Sequence, residues 1–119
     1  MTNKLFYMEN VNEEYIEERN CYIYADVKYT IRSGKRDEFV KKLLEEHIIT
    51  SSRCEPGNIK YEVSVPVDSV DEICISELWT NKTEQKRHAQ TAHYEKLAEL
   101  KKIYVEEVKI QSYQVMSEK

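Results

Sequence analysis

Apolar and polar residues alternate between positions 22 and 32, which is the pattern of a β-strand with one buried face. The apolar positions of this strand, which share one predicted face, are Ile23, Ala25, Val27, Tyr29 and Ile31. After Ser33-Gly34 the period changes to that of an amphipathic helix. Its apolar stripe consists of Phe39, Val40, Leu43, Leu44, Ile48 and Ile49. The pattern therefore predicts one helix over residues 35–52.

A turn and two strands follow this helix. The turn is Cys54-Glu55-Pro56-Gly57-Asn58. Pro56 disfavours a helical backbone at the residue before it, and Gly57 is free to adopt a positive φ. Alternation resumes over residues 59–65 and again over residues 73–79. Two alternating segments on either side of a polar connection predict a β-hairpin.

The last third of the chain predicts a second helical region and a final strand. Asn81 followed by Glu84 is a capping pair, from which we predict a helix to about residue 102 with a break near Thr91. The strand, residues 105–115, carries apolar residues on one face in its first half and on the other face in its second half. A bulge near Gln111 or Ser112 would restore a single apolar face.

The order β-α-β-β-α-β predicts a ferredoxin-like α+β fold, in which both helices cover one face of an antiparallel sheet. We assign this domain to residues 21–115 and a short tail to residues 116–119. Residues 1–20 do not fit the pattern. They carry too few apolar residues for a core but enough to dock on a neighbouring subunit, so we expect an N-terminal extension.

Composition narrows the classes of function. The chain has 119 residues, a net charge of −4, two glycines and two prolines. So few glycines exclude a glycine-rich phosphate-binding loop, and an acidic balance without a basic run argues against nucleic acid as a partner. No segment reaches the ~18 apolar residues of a membrane span, so we expect a cytoplasmic protein. Three cysteines without a Cys-x-x-Cys pair indicate neither a disulfide framework nor a zinc ribbon.

Glu77 is the residue that a purely structural interpretation explains least well. It shares the predicted inner face of its strand with Ile73, Ile75 and Trp79, where an unpaired charge would be costly. Either a lysine or arginine at the rim pairs with this carboxylate, or the carboxylate belongs to a functional site. The sequence leaves both alternatives open.

Two of the three histidines, His88 and His93, flank the predicted helix break near Thr91. On one straight helix, five residues turn through about 500° and would leave the rings about 140° apart, a poor geometry for a shared metal ion. We therefore expect no metal site. A break would bring both rings towards the sheet face that carries Glu77 and Trp79, forming a pocket with bases and aromatic walls. The alternative is that both histidines are surface or capping residues.

Several features together resemble the antibiotic biosynthesis monooxygenase superfamily, over about residues 21–115. They are the alternation of the first strand, the Ser33-Gly34-Lys35 start of the first helix, the Ser52-Arg53-Cys54-Glu55-Pro56-Gly57-Asn58 turn, Glu77-Leu78-Trp79, and the spacing Trp79-x8-His88-x4-His93. The resemblance implies a ferredoxin-like domain that joins a second copy in a dimeric α+β barrel. It also implies a pocket between sheet and helices in each subunit.

Members of this superfamily carry out several reactions. Some oxidise quinols or polycyclic phenols with O2 and neither metal nor flavin, some degrade haem, and some isomerise a small phosphorylated ketose derivative. The haem-degrading members use an asparagine on the first strand, and none of the inward positions of that strand is an asparagine here. The resemblance therefore implies a small-molecule substrate, and we interpret the chain as a homodimeric quinol monooxygenase without a cofactor.

In this interpretation His88 or His93 removes a phenolic proton, because imidazole is suited to proton transfer near neutral pH. Glu77 orients a histidine or holds a proton. The residues assigned to substrate binding are Trp79, Tyr61, Asn58 and Arg53.

Two alternatives remain open at the level of sequence. One is an isomerase of a small, phosphorylated carbonyl compound, in which the same bases move a proton and Arg53, Lys60 or Arg87 binds the anion. The other is a dimer that binds a ligand without turnover. Apolar pocket walls would favour an aromatic quinol, whereas convergent basic groups would favour a phosphate.

Overall fold

The computed structural model describes residues 6–8 and 21–117, which form one antiparallel sheet and a set of helices. The elements are β1 (Phe6–Met8), β2 (Cys21–Ile31), α1 (Arg36–Glu45), α2 (Ile48–Arg53), β3 (Asn58–Ser64), β4 (Glu72–Trp79), α3 (Lys82–His88), α4 (Ala92–Tyr104) and β5 (Val105–Ser117). The strand order is β1-β5-β2-β4-β3. The last four strands and the helices form the ferredoxin-like α+β fold, so the predicted fold class is confirmed. Most of the predicted N-terminal extension lies outside the described residues.

β2 is the centre of the fold, because it pairs with β4 on one side and with β5 on the other. All five apolar residues that were predicted to share one face are buried. Helices pack against this face. Phe39 of α1 meets the ring of Tyr29 edge-on, with centroids 6.1 Å apart, and Leu97 and Leu100 of α4 belong to the same core. Burial of this apolar surface is the main stabilising contribution to the fold. Among the described residues, no helix has the length and apolar character needed to cross a membrane.

The single helix predicted after β2 is divided into α1 and α2. His47, between them, has a left-handed backbone with φ 56°. The apolar stripe explains the break, since Leu43 and Ile48 lie five residues apart, about 140° out of phase on a straight helix, yet both are buried. The turn at His47 returns Ile48 to the core and leaves Leu44 exposed. The single-helix prediction is wrong for this reason.

The second helical region begins and breaks where the sequence predicts. The side-chain oxygen of Asn81 caps α3 by accepting a hydrogen bond from the amide of Glu84 at 2.9 Å. α3 ends at His88, and the hydroxyl oxygen of Thr91 caps α4 by accepting from the amide of Tyr94 at 3.2 Å. The break near Thr91 is therefore confirmed, and the cap that Thr91 provides starts the new helix after it.

β5 does not contain the bulge predicted near Gln111 or Ser112. It pairs with β2 without interruption across positions 107–116, and the irregularity lies where β5 begins. Its apolar residues change face because the two ends of the strand have different surroundings. Ile110 is on the helix face and is 60% exposed, whereas Val115 is on the other face and is only 8% exposed, at the end where β1 pairs with β5. The strand has no single apolar face for a bulge to restore.

Gly57 is needed for close packing and not for its backbone conformation. The turn around it is present, since the amide of Asn58 donates to the carbonyl of Glu55 at 3.0 Å. Of the two glycines, however, only Gly34 has a positive φ, 76°, so the turn does not use the freedom of Gly57 to adopt one. A Cβ added at Gly57 would lie 2.2 Å from the Cβ of Glu84. The missing side chain therefore lets this turn approach α3.

Candidate active site

Three side chains that are distant in sequence, Glu55, His88 and His93, meet in one cluster. Oxygen Oε2 of Glu55 lies 2.5 Å from Nδ1 of His88 and 2.7 Å from Nε2 of His93. The three side chains are 11%, 6% and 16% exposed, respectively. Short hydrogen bonds of this kind are typical of a carboxylate and imidazoles in a place with little water.

The cluster depends on the turn after α2 and on the break between α3 and α4. Glu55 lies in that turn, while His88 is the last residue of α3 and His93 is the second residue of α4. The chain changes direction between the histidines, where the hydroxyl of Thr91 donates to the carbonyl of His88 at 2.7 Å. As a result, the two imidazole centroids are 5.7 Å apart.

Aromatic rings enclose His88. Its ring centroid is 4.8 Å from that of Trp79, 5.1 Å from that of Tyr94 and 5.8 Å from that of Tyr61. The three rings come from β4, α4 and β3 respectively. Such packing restricts rotation of the imidazole, so each of its nitrogens keeps the same neighbours.

A cavity of about 270 Å³ lies between the sheet and helices α3 and α4. Its lining residues are Ala25, Val27, Glu77, Gln85, Lys86, His88, Ala89, Tyr94, Ile110 and Ser112. Two of the three residues predicted to be catalytic, His88 and Glu77, therefore face the same cavity. The third, His93, is joined to His88 through Glu55 and is outside the lining.

Glu77 lies on the inner face of β4, paired with Ala25 of β2 and with Tyr61 of β3. Its carboxylate accepts a hydrogen bond from the indole nitrogen of Trp79 at 3.0 Å. Burial raises the pKa of Glu77, and the hydrogen bond from Trp79 opposes this shift. The ion pairs seen among the described residues do not include Glu77. In the part of the chain that the structure describes, the hydrogen-bond partner of Glu77 is thus the indole of Trp79 and not the rim cation that the sequence left open.

Glu77→Gln is expected to become increasingly more stable than wild type as the pH rises above 4.5, the usual pKa of a glutamate. Because the folded-state pKa of Glu77 is raised, the contribution of this group to the stability of the wild type is fully present below its usual pKa. That contribution is lost as the pH rises through the folded-state pKa. Glutamine keeps an acceptor for Trp79 and carries no charge. Urea unfolding at several pH values from 4.5 to about 8 measures the difference in free energy of unfolding between the two proteins.

Glu62→Gln is the control for this comparison, since Glu62 is exposed on the neighbouring strand. Its free energy of unfolding should follow that of the wild type at each pH to within about 0.5 kcal/mol. Parallel pH profiles for Glu77→Gln and wild type would contradict the raised pKa of Glu77.

The four residues predicted to bind substrate contact the protein itself. Nε of Arg53 donates to the carbonyl of Tyr61 at 2.8 Å, and the side-chain amide of Asn58 donates to a carbonyl of β3 at 3.0 Å. Tyr61 is buried beside His88, and this burial raises the pKa of its phenol. Trp79 is fully buried. All four are outside the cavity lining, and they brace β3 and the ring of His88.

The Glu55–His88–His93 cluster has the donor set of a divalent metal site, with two imidazole nitrogens and one carboxylate oxygen within 4.8 Å of one another. In a tetrahedral zinc site with ligands at about 2.1 Å, neighbouring ligand atoms are about 3.4 Å apart. Oε2 of Glu55 is closer than that to both nitrogens. The cluster therefore has the geometry of hydrogen bonds, and a metal ion would have to displace both of them.

Residues 22–100 match the protein family described as antibiotic biosynthesis monooxygenase. The chain belongs to this family. Solved structures with the same fold include a protein from Shewanella oneidensis, 17% identical with a TM-score of 0.74, over 93% of this chain and 98% of that one. A protein from Pseudomonas aeruginosa is 18% identical with a TM-score of 0.72, over 79% of this chain and 93% of that one. A protein from Bacteroides thetaiotaomicron is 22% identical with a TM-score of 0.71, over 80% of this chain and 98% of that one. At these identities the likeness shows the fold alone. Among curated proteins, none matches the chain.

Membership of the antibiotic biosynthesis monooxygenase family indicates a monooxygenase-like or small-molecule-binding function. The cavity beside His88 is the candidate site for such a molecule. Neither the fold nor the family distinguishes an enzyme from a protein that binds a ligand without turnover. That choice depends on the chemistry of the residues around the cavity.

Sequence reasoning missed Glu55, the residue that joins the two histidines. Its position in the Glu55-Pro56-Gly57 turn was interpreted only in terms of backbone conformation. The available signal was the resemblance to the antibiotic biosynthesis monooxygenases, because Glu55 belongs to the same ordered set of motifs as His88 and His93. Residues that carry a resemblance together are candidates for one site.

Proposed function

We propose that this protein oxidises an aromatic quinol or phenol with O2 in the cavity between sheet and helices, without a metal or flavin, and that His88 is the general base. The observation that carries the proposal is that His88 and Glu77 face one otherwise mainly apolar cavity. Imidazole is the side chain best suited to proton transfer near neutral pH. His93, which is outside the cavity lining, is the less suitable base.

The proposed reaction begins when His88 removes a proton from a phenolic hydroxyl group. The electron-rich anion passes one electron to O2, and the resulting radical pair combines to form a hydroperoxide at a ring carbon. Loss of water from that carbon leaves a carbonyl group, so a quinol becomes a hydroxyquinone. One oxygen atom of O2 enters the product, the other leaves as water, and the substrate supplies all four electrons. The protein provides binding, proton transfer and shelter from water.

Glu77 is suited to the final proton transfer. Because burial raises its pKa, this carboxyl group retains a proton to higher pH than an exposed glutamate does. It shares the cavity with His88, and we assign it the role of the acid that protonates the oxygen lost as water. The hydrogen bond from Trp79 fixes the orientation of the carboxyl group.

The cavity lining indicates the class of substrate. Four of its residues have aliphatic side chains and one has an aromatic ring, namely Ala25, Val27, Ala89, Ile110 and Tyr94. A volume of about 270 Å³ is just below the range of roughly 300–1,000 Å³ that holds drug-sized ligands. These features favour a flat aromatic molecule of one or two rings, with its hydroxyl group at His88.

The isomerase alternative has less support, because the predicted anion-binding residues are outside the cavity lining. Arg53 donates to a backbone carbonyl, Lys60 pairs with Glu62, and Arg87 pairs with Glu84. Lys86 is the cation in the lining. A single exposed lysine is a weaker phosphate ligand than the convergent basic groups that this reaction requires.

Oxygen uptake in the presence of one- and two-ring quinols tests the proposed function. We expect chelator-treated protein to accelerate uptake well above the spontaneous rate. Calorimetric titration with the corresponding quinones checks binding. Tight binding without accelerated uptake would favour the ligand-binding alternative, and neither binding nor uptake would contradict both.

Dimerisation is a further expected property, since the family is often dimeric. Tyr22 and Tyr24 project from the face of β2 opposite the helices, and the ring of Tyr24 lies 6.3 Å from that of Tyr113 on β5. Aromatic side chains grouped on one sheet face are typical of an interface. Light scattering is expected to give about twice the chain mass of 14.2 kDa. A monomer at micromolar concentration would contradict this prediction.

A further inference from the structure

The hydrogen atoms in the Glu55 cluster follow from its geometry. A carboxylate oxygen accepts hydrogen bonds and donates none. Because Oε2 of Glu55 lies 2.5 Å from Nδ1 of His88 and 2.7 Å from Nε2 of His93, both of these nitrogens carry a hydrogen. In neutral His88 the lone pair is therefore on Nε2.

The two histidines differ in what their remaining nitrogen reaches. The ring of His88 lines the cavity and packs against Trp79 and Tyr94. Since Nδ1 is directed at Glu55, the side of the imidazole that bears Nε2 is the one available to a molecule in the cavity. His93 is outside the lining, so its remaining nitrogen has no such access.

We propose that Glu55 is a positioning residue that sets this tautomer, so that Nε2 of His88 is the atom that takes the proton from the substrate. The inference rests on the proposed function and names the residue that orients its base. When Nε2 takes up the proton, His88 becomes a cation beside the carboxylate of Glu55, where little water screens the pair. His93 is the second donor to the same oxygen and keeps the carboxylate directed at His88.

The backbone around Glu55 holds the carboxylate in place. The amide of Glu55 donates to the carbonyl of Ser52 at 3.2 Å, and its carbonyl accepts from the amide of Asn58 at 3.0 Å. The carbonyl of Gly57 accepts from the amide of Thr80 at 2.9 Å, which ties the turn to the end of β4. Positioning requires such support, because a displacement of about 1 Å removes much of the rate acceleration that a catalytic group provides.

The position of the hydrogen on His88, read from the long-range ¹H–¹⁵N spectrum of labelled wild-type protein, tests the inference. At a pH where the ring is neutral, we expect the pattern of a histidine with its hydrogen on Nδ1. Glu55→Gln should lose this fixed pattern, since an amide offers one acceptor oxygen and one donor NH₂ group. The wild-type spectrum needs neither a variant nor turnover. A hydrogen on Nε2 of His88 in the wild type would overturn the proposal.

The kinetic arm uses quinol oxidation by the same variant. Glu55→Gln is expected to lower kcat by about 10²-fold or more and to change KM by less than about threefold, as when the orienting carboxylate of a catalytic triad is lost. Glu95→Gln is the matched control, since Glu95 is exposed on α4 two residues after His93, and it should behave like wild type.

Two further results would overturn the proposal. One is a wild-type kcat for Glu55→Gln. The other is stoichiometric binding of Zn²⁺ by wild type that Glu55→Gln abolishes, because the cluster would then be a metal site. A wild type that carries the hydrogen on Nδ1 but does not oxidise quinols would contradict the proposed function alone and support the tautomer.

Discussion

His88→Ala is expected to lower kcat for quinol oxidation by about 10²-fold or more, the usual effect of losing a general base. His88 lines the cavity, and its Nδ1 is held by Glu55. No other imidazole of the described residues lines that cavity. Steady-state oxygen uptake with a quinol measures the loss, and the free energy of unfolding from urea titration shows whether the variant is folded.

Two histidine variants complete this comparison. His93→Ala is expected to lower kcat less than His88→Ala, since His93 contacts Glu55 and is outside the cavity lining. His47→Asn should leave kcat unchanged, because His47 is exposed and asparagine tolerates its left-handed backbone. A folded His88→Ala variant with the kcat of wild type would remove His88 from the mechanism.

Trp79→Ala is expected to lower the free energy of unfolding by about 3–5 kcal/mol, the range for truncating a buried tryptophan. Trp79 is fully buried and belongs to a core cluster with Cys21 and Ile23. Its ring supports His88 at a centroid distance of 4.8 Å, and its indole nitrogen donates to Glu77. Urea unfolding followed by circular dichroism measures the change.

Trp79→Phe separates packing from the hydrogen bond. It keeps an aromatic ring, but it leaves the buried carboxyl group of Glu77 without its donor, which costs about 1–3 kcal/mol. Trp79→Phe should therefore lie between wild type and Trp79→Ala in stability. If Trp79→Ala lowered the free energy of unfolding by less than about 1 kcal/mol, the buried position of Trp79 would be contradicted.

Local chemistry explains why much of the fold was predictable from the sequence. The alternation in β2 identifies its buried face because a strand has a period of two, and all five of its predicted inward residues are buried. Asn81 and Thr91 cap α3 and α4 with their own side chains, so short-range sequence contains the information for both helix starts.

The features that the sequence did not predict correctly depend on packing between distant residues. The break at His47 exists because Leu43 and Ile48 must both reach the core, which their spacing alone does not show. In β5, the exposure of Ile110 and the burial of Val115 depend on neighbouring elements. A local pattern of apolar residues therefore could not distinguish a bulge from a strand with two different ends.

Sequence reasoning placed His88 and Glu77 in the candidate site, where both line the cavity, but it did not predict how the residues of the site are connected. His88 and Glu77 were found because a histidine beside a helix break and a carboxylate on an apolar face are locally unusual. Glu55 is separated by 33 residues from His88 and by 38 from His93. These three residues come together only when the chain folds. The tautomer of His88 follows from this contact and from no sequence motif.

The fate of ¹⁸O₂ during oxidation of 1,4-naphthalenediol by chelator-treated protein tests the central claim most directly. If His88 supports monooxygenation in the cavity, mass spectrometry of the promptly quenched product will show a hydroxyquinone with one ¹⁸O atom, formed faster by wild type than by His88→Ala. Spontaneous oxidation gives the unhydroxylated quinone and hydrogen peroxide. The hydrogen peroxide receives both ¹⁸O atoms, so the quinone contains none. Formation of that quinone alone, at the same rate with wild type, His88→Ala and buffer, would contradict the account.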